Sequence, residues 1–186
     1  MFMNRDERES YLENMIQEGL LLEGRLYDIV LPFQLPLSKD DFGIKKDQGY
    51  RLVCEIKNRS ILIDKLQIAL PDGAEYPMIL GRKPVRGYDI LENFTMLWGL
   101  DSGMVYENLN FPLHISGNLL IGTEVADYST PMLPDFAMAN RYDVYRELLL
   151  LEFQTGILKN IKDVSGMSKE TFQEISGLAS QLTEEE

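Results

Sequence analysis

Apolar and polar residues alternate with a period of two along most of this chain, the rhythm of β-strands that turn one face to a core. The rhythm is cleanest from Leu109 to Val125. Leu109, Phe111, Leu113 and Ile115 alternate with Asn110, Pro112 and His114, and after Ser116-Gly117-Asn118 the pattern resumes with Leu119, Ile121, Thr123 and Val125. A short glycine-containing break between two alternating runs predicts a β-hairpin. A second hairpin is predicted where Tyr50, Leu52, Cys54 and Ile56 alternate with Arg51, Val53, Glu55 and Lys57, turn at Asn58-Arg59-Ser60, and return through Leu62, Leu66, Ile68 and Leu70. Asp64 interrupts the apolar face of that return strand. A strand end or bulge facing water would accommodate it, whereas a buried position would require a partner, because an unpaired buried charge is costly.

Residues 20–33 read as one or two strands that turn irregular at Pro32 and Pro36, since proline cannot donate to a sheet ladder. Residues 38–49 read as a polar loop, Tyr76 to Leu80 as a short apolar strand, and residues 126–141 as an irregular crossing. Tyr88, Ile90, Phe94, Met96 and Trp98 share the most aromatic strand face in the chain. Residues 142–153 fit a helical period as well. The break at Gln154-Thr155-Gly156, followed by Ile157, Leu158 and Ile161, favours a strand from Val144.

Two segments carry a 3.6-residue period instead. Asn4 and Glu7 have the spacing of a capping box, and Tyr11, Leu12, Met15 and Ile16 share a side, predicting a helix over about residues 5–18. Ser168 opens a second segment in which Phe172, Ile175, Leu178, Ala179 and Leu182 share a face, predicting a helix over about 168–182 with an acidic frayed tail behind it. Together these elements predict a mainly β (α+β) single domain over 1–186. It is an antiparallel β-barrel or sandwich of about eight strands, with a β-rich body over about 20–162 and a helix at each end. The alternative is a curved open antiparallel sheet with the helices on one face. In strand rhythm alone the pattern resembles lipocalin-like small barrels.

Charge narrows the partners. Lys and Arg number 18 against 30 Asp and Glu, a net charge of −12. That balance argues against nucleic acid, whose binding needs phosphate neutralisation, and against anionic lipid, and it suits a basic protein. The single cysteine, Cys54, excludes an intramolecular disulfide, and one cysteine with one histidine is a poor start for a zinc site. The charged residues from Arg5 onward leave no apolar leader, and the aliphatic run Leu148–Leu151 is far too short to span a bilayer, so a cytoplasmic protein without membrane attachment is expected.

Candidate chemistry is sparse. Gly81-Arg82-Lys83-Pro84-Val85-Arg86-Gly87 is the one compact basic cluster, and Arg82 or Arg86 could hold a carboxylate or phosphate. Tyr88, Phe94 and Trp98 could wall an apolar pocket, with His114, the one histidine, orienting a polar ligand. Cys54 falls on an apolar face and His114 on a polar one, which does not make a nucleophile–base pair. Asp64, Glu92 and Glu124 interrupt or border apolar faces but form no acid–base motif, and no metal or cofactor motif is present. The sequence therefore favours a non-catalytic acidic interaction protein that binds a basic partner, of immunity or inhibitor type. The alternative is a small-ligand-binding barrel with, at most, a weak enzymatic role.

Overall fold

The computed structural model describes residues 16–32, 34–44, 49–68, 70, 74–87, 104–125 and 142–184. The described chain is mainly β. Its strands are β1 (Ile16–Leu22), β2 (Arg25–Leu31), β3 (Tyr50–Lys57), β4 (Ser60–Ile68), β5 (Val85–Arg86), β6 (Met104–Val105), β7 (Phe111–Pro112), β8 (Ile115–Val125), β9 (Tyr145–Gln154), β10 (Ile157–Asp163) and β11 (Thr183–Glu184). One α-helix, α1 (Lys169–Ala179), lies between β10 and β11. The strand order β10-β9-β8-β2-β1-β3-β4 returns to β10 through a β10–β4 pairing, which makes a closed seven-strand β-barrel. β7 extends the sheet from β4, β11 pairs β8, and β5 with β6 forms a separate ribbon. By internal contacts the residues fall into two compact units, one within 1–18, 37–54 and 63–111 and the other within 19–36, 55–62 and 112–186.

Tight turns set the registers. Glu23-Gly24, Asn58-Arg59 and Thr155-Gly156 each have two consecutive positive φ angles, the mirror-image turn whose twist matches that of paired strands. The breaks between runs are thus two residues long, and Ser60 belongs to β4. At Ser116-Gly117-Asn118, where alternation predicts a turn, the chain does not reverse. β8 runs straight through as an 11-residue strand. Gly117 takes a φ of +126, and a Cβ there would lie 3.0 Å from Leu182 Cα. The glycine makes room for the C-terminal segment, which pairs Thr183 with Ser116 and Glu184 with Ile115 in place of the expected frayed tail.

In the second unit β8 is buried on both faces. Leu119 and Ile121 are fully buried, and so are their neighbours Leu120 and Gly122. Leu120 sits on the face that simple alternation assigns to water. It packs with Val30, Leu31, Tyr145 and Leu148 against Phe172, Ile175 and Ala179 of α1. Ser168 caps the helix, its Oγ accepting from Thr171 N–H at 3.2 Å, and Phe172 stacks on Tyr142 with ring centroids 4.4 Å apart. Leu178, placed on the buried face by its spacing, is 46% exposed. The helix expected over 5–18 lies outside the described residues up to residue 15, and Ile16–Glu18 already belong to β1.

In the first unit, Leu52, Cys54, Ile63, Leu66 and Ile68 are buried, and Tyr106 bridges to Leu66 through paired backbone hydrogen bonds. Arg51, Asp64 and Gln67 are buried polar residues, and none of the three is without a partner. Phe42 ends a 3-10 turn at Lys39–Phe42 and meets Phe111 edge-on at 5.1 Å, so the loop expected over 38–49 is anchored at this point.

Closure rests on the β9–β10 turn, within the second unit. Gly156 N–H donates to Ile115 O at 2.8 Å, and Gly156 O accepts from Ile61 N–H at 3.0 Å. Arg59 clamps the same seam, its Nε and Nη2 donating to Leu158 O at 2.9 and 2.7 Å and Nη2 to Lys159 O at 3.0 Å. Gly156 has a φ of +74, and a Cβ on it would sit 2.0 Å from Leu113 O. Gly24, at a φ of +79, has nothing within 4 Å of where a Cβ would sit. Gly156→Ala should therefore cost about 3 kcal/mol or more of folding stability, against about 1 kcal/mol for Gly24→Ala, in urea denaturation. Equal losses would contradict the crowding assigned to Gly156.

Candidate functional site

β2 and β9 flank β8 without pairing with each other, and polar side chains tie them together across it. Glu147 on β9 is paired with Thr123, and Asp28 on β2 is paired with Gly122. Over Thr123, Tyr27 OH donates to Glu147 Oε1 at 2.6 Å and Arg25 Nη1 to Glu147 Oε2 at 2.9 Å. Thr123 Oγ1 donates to Leu26 O at 3.2 Å, and the Arg25 guanidinium lies 5.7 Å from the Tyr27 ring centre. Arg25 and Glu147 keep 41% and 30% of their side-chain surface in water, so the ion pair itself contributes modestly. Burial raises the Tyr27 pKa, reinforced by its hydrogen bond to Glu147.

The second tie crosses Gly122. Tyr145 OH donates to Asp28 Oδ2 at 3.0 Å. The Tyr145 ring passes so close to β8 that a Cβ on Gly122 would lie 2.6 Å from Tyr145 Cγ. Glycine at 122 is what lets the ring through. Burial raises the pKa of Asp28 while the Tyr145 hydrogen bond pulls it down, and burial with the Asp28 charge beside it raises that of Tyr145. Both carboxylates are occupied by tyrosine or arginine donors, which suits them to bracing the sheet. Nothing in their sequence spacing marks them: Arg25 and Glu147 are 122 residues apart, and Asp28 and Tyr145 are 117 apart.

Of the residues singled out by sequence, Arg82, Arg86 and His114 are exposed. Tyr88, Phe94 and Trp98 lie outside the described residues. Arg82 closes a tight reversal with Ile79 through mutual backbone hydrogen bonds, and Leu80 and Gly81 at its tip have positive φ. The apolar stretch Tyr76–Leu80 is therefore an arm leading into this turn, with Ile79 making an isolated bridge instead of a strand. Arg86 is in β5, opposite Met104. Tyr106 anchors the arm by donating its OH to Pro77 O at 2.6 Å, and burial, with the charge of Tyr76, pushes its pKa up to about 12. Arg82 and Arg86 belong to the first unit, whereas His114, between β7 and β8, belongs to the second.

Cys54 is completely buried, and burial together with the Glu18 charge pushes its thiol well up, which leaves it unreactive. In the first unit Leu37, Phe42, Ile44, Tyr50, Leu52 and Leu66 line a void of about 10 Å³. A small-molecule site needs roughly 300 Å³ or more, so this void is a packing gap. Among the described residues no helix is long and apolar enough to cross a membrane. Compared with protein-family models, curated proteins and solved structures, the chain matches none.

The raised pKa of Asp28 makes stability depend on pH with a definite sign. The folded protein holds this proton more tightly than the unfolded chain does. Its contribution is therefore complete below the unfolded carboxyl pKa of about 3.9 and is lost as pH rises through the folded value. Asp28→Asn retains an acceptor for Tyr145 and removes the titration. In urea denaturation across a pH series, the variant should exceed the wild type in stability at pH 7, with the gap closing by about pH 4. A variant less stable than wild type at every pH would refute this account.

Proposed function

We propose that this chain is a non-catalytic interaction protein that binds a basic protein partner, in the manner of an immunity protein or inhibitor. The observation that carries this reading is the net charge of −12, which would draw a cationic surface to it and repel polyanions. Exposed carboxylates occur in both units, including Asp40 and Asp41 in the first and Glu152, Glu170, Glu174 and Glu184 in the second. The Glu170 backbone N–H, followed by the Ser168 side chain, lowers the Glu170 pKa, so that carboxylate stays ionised at neutral pH. The same reading puts the chain in the cytoplasm, with Cys54 reduced.

Capture from native lysate at low and moderate salt would identify the partner, and reconstitution from two purified proteins would test it. A saturable complex with a basic protein is expected, its association slowing steeply with salt. Reversing Glu170 and Glu174 to Lys, or Asp40 and Asp41 to Lys, should slow association about tenfold for whichever pair faces the partner. Failure to reconstitute any complex, or a complex with an acidic protein insensitive to salt, would defeat the reading.

A further inference from the structure

Among the described residues, one edge of β10 is left without a pairing strand beyond its first residues. The strand pairs β9 from Ile157 to Asp163, but it meets β4 at the single register pair Ile157↔Ser60. Arg59 occupies the carbonyls of Leu158 and Lys159, and beyond them no strand among the described residues pairs with the outer edge. Residues 159–163 are all exposed, Ile161 by 44%, so this part of the strand shows both faces to solvent. An unpaired edge of this kind is a template for another strand.

The edge reads Lys159-Asn160-Ile161-Lys162-Asp163. Two copies laid antiparallel about Ile161 set Ile161 opposite Ile161, Asn160 opposite Lys162, and Lys159 opposite Asp163. Opposite charges then meet at both ends of an apolar centre. A one-residue slip in one direction sets Lys159 against Lys162, a two-residue slip in the other sets Lys162 against its own copy, the remaining short slips lose both lysine–aspartate pairs, and parallel in-register pairing sets every lysine against itself. Among antiparallel registers within two residues of this one, lysine meets aspartate at both ends only when the copies centre on Ile161. Asp163 accepts from Ser165 N–H and Oγ at Oδ1, which leaves Oδ2 for a lysine.

We propose that this chain self-associates through the open edge of β10, two copies pairing antiparallel about Ile161. The contact is one short strand, so association is weak and reversible and grows with concentration. It involves neither the basic partner proposed above nor the carboxylates offered for it.

Sedimentation equilibrium of the full chain, with circular dichroism to check the fold of each variant, tests the proposal. Wild type should pass from monomer to dimer on approaching millimolar concentration. Lys159→Asp and Asp163→Lys should each weaken dimerisation about tenfold, because like charges then face each other. An equimolar mixture of the two variants should restore it, since the aspartate introduced at position 159 in one copy meets the lysine introduced at position 163 in the other. Ile161→Lys, which alters neither of those two positions, should abolish it and keeps the test decisive if Asp163→Lys disturbs the Ser165 turn. A wild type that stays monomeric at millimolar concentration overturns the proposal, including the case in which an extended segment of another protein occupies the edge. A dimer indifferent to these variants, or a mixture no better associated than its components, overturns it as well.

Discussion

A turn residue with no side chain joins three strands. The Gly156 amide is bonded to Ile115 and its carbonyl to Ile61, so the β9–β10 turn is fastened to the start of β8 and the start of β4. Without the bonds that carry this turn to Ile61 and to Arg59, whose carbonyl accepts from Leu158 N–H at 2.7 Å, β10 would be an ordinary hairpin partner of β9, and the strand order would end at an open edge. Arg59 reinforces the seam from the β3–β4 turn. Its guanidinium, a charged donor, makes stronger hydrogen bonds to carbonyls than a neutral amide would. The closed sheet thus depends on two turns touching at one point, and the rest of β10 is left free of β4.

Within the second unit, β8 is buried on both faces. One of its faces carries the buried Leu119 and Ile121, and the other is covered by α1 at Leu120. Polar side chains still reach over it because two adjacent positions allow passage. Gly122 leaves room for Tyr145, and Thr123 accepts the short span between Tyr27 and Glu147. These ties link β2 to β9 without a backbone ladder between them. The Asp28 carboxylate loses solvation in doing so, and the Tyr145 hydroxyl offsets part of that loss.

Local elements were legible where alternating or helical spacing is bounded by turn or capping residues, even at Tyr50–Cys54, where both faces of the strand are dry. Tyr50–Ile56, the start of β9 and the Ser168 cap all follow from spacing and turn chemistry. The reading failed at Gly117 because a glycine between alternating runs marks either a reversal or a close approach of other backbone, and distinguishing them needs the position of Leu182. It failed at Leu120 because alternation assigns one dry face, and the helix that dries the second lies about fifty residues later. The Arg82 and Arg86 cluster was visible as charge, but its setting in a tight turn with an exposed Leu80 was not. The tyrosine–carboxylate ties and the seam at Gly156 join residues separated by about forty to 120 positions, which no local period encodes.

The passage of Tyr145 over Gly122 makes two distant positions heritable as one. A methyl at 122 would evict the ring, and a small residue at 145 would open a trough and strip Asp28 of its hydroxyl donor. Neither position can drift alone without a defect at the other. In descendants of this chain, paired replacement at 122 and 145 would be the visible trace of a contact that leaves no mark in any single sequence.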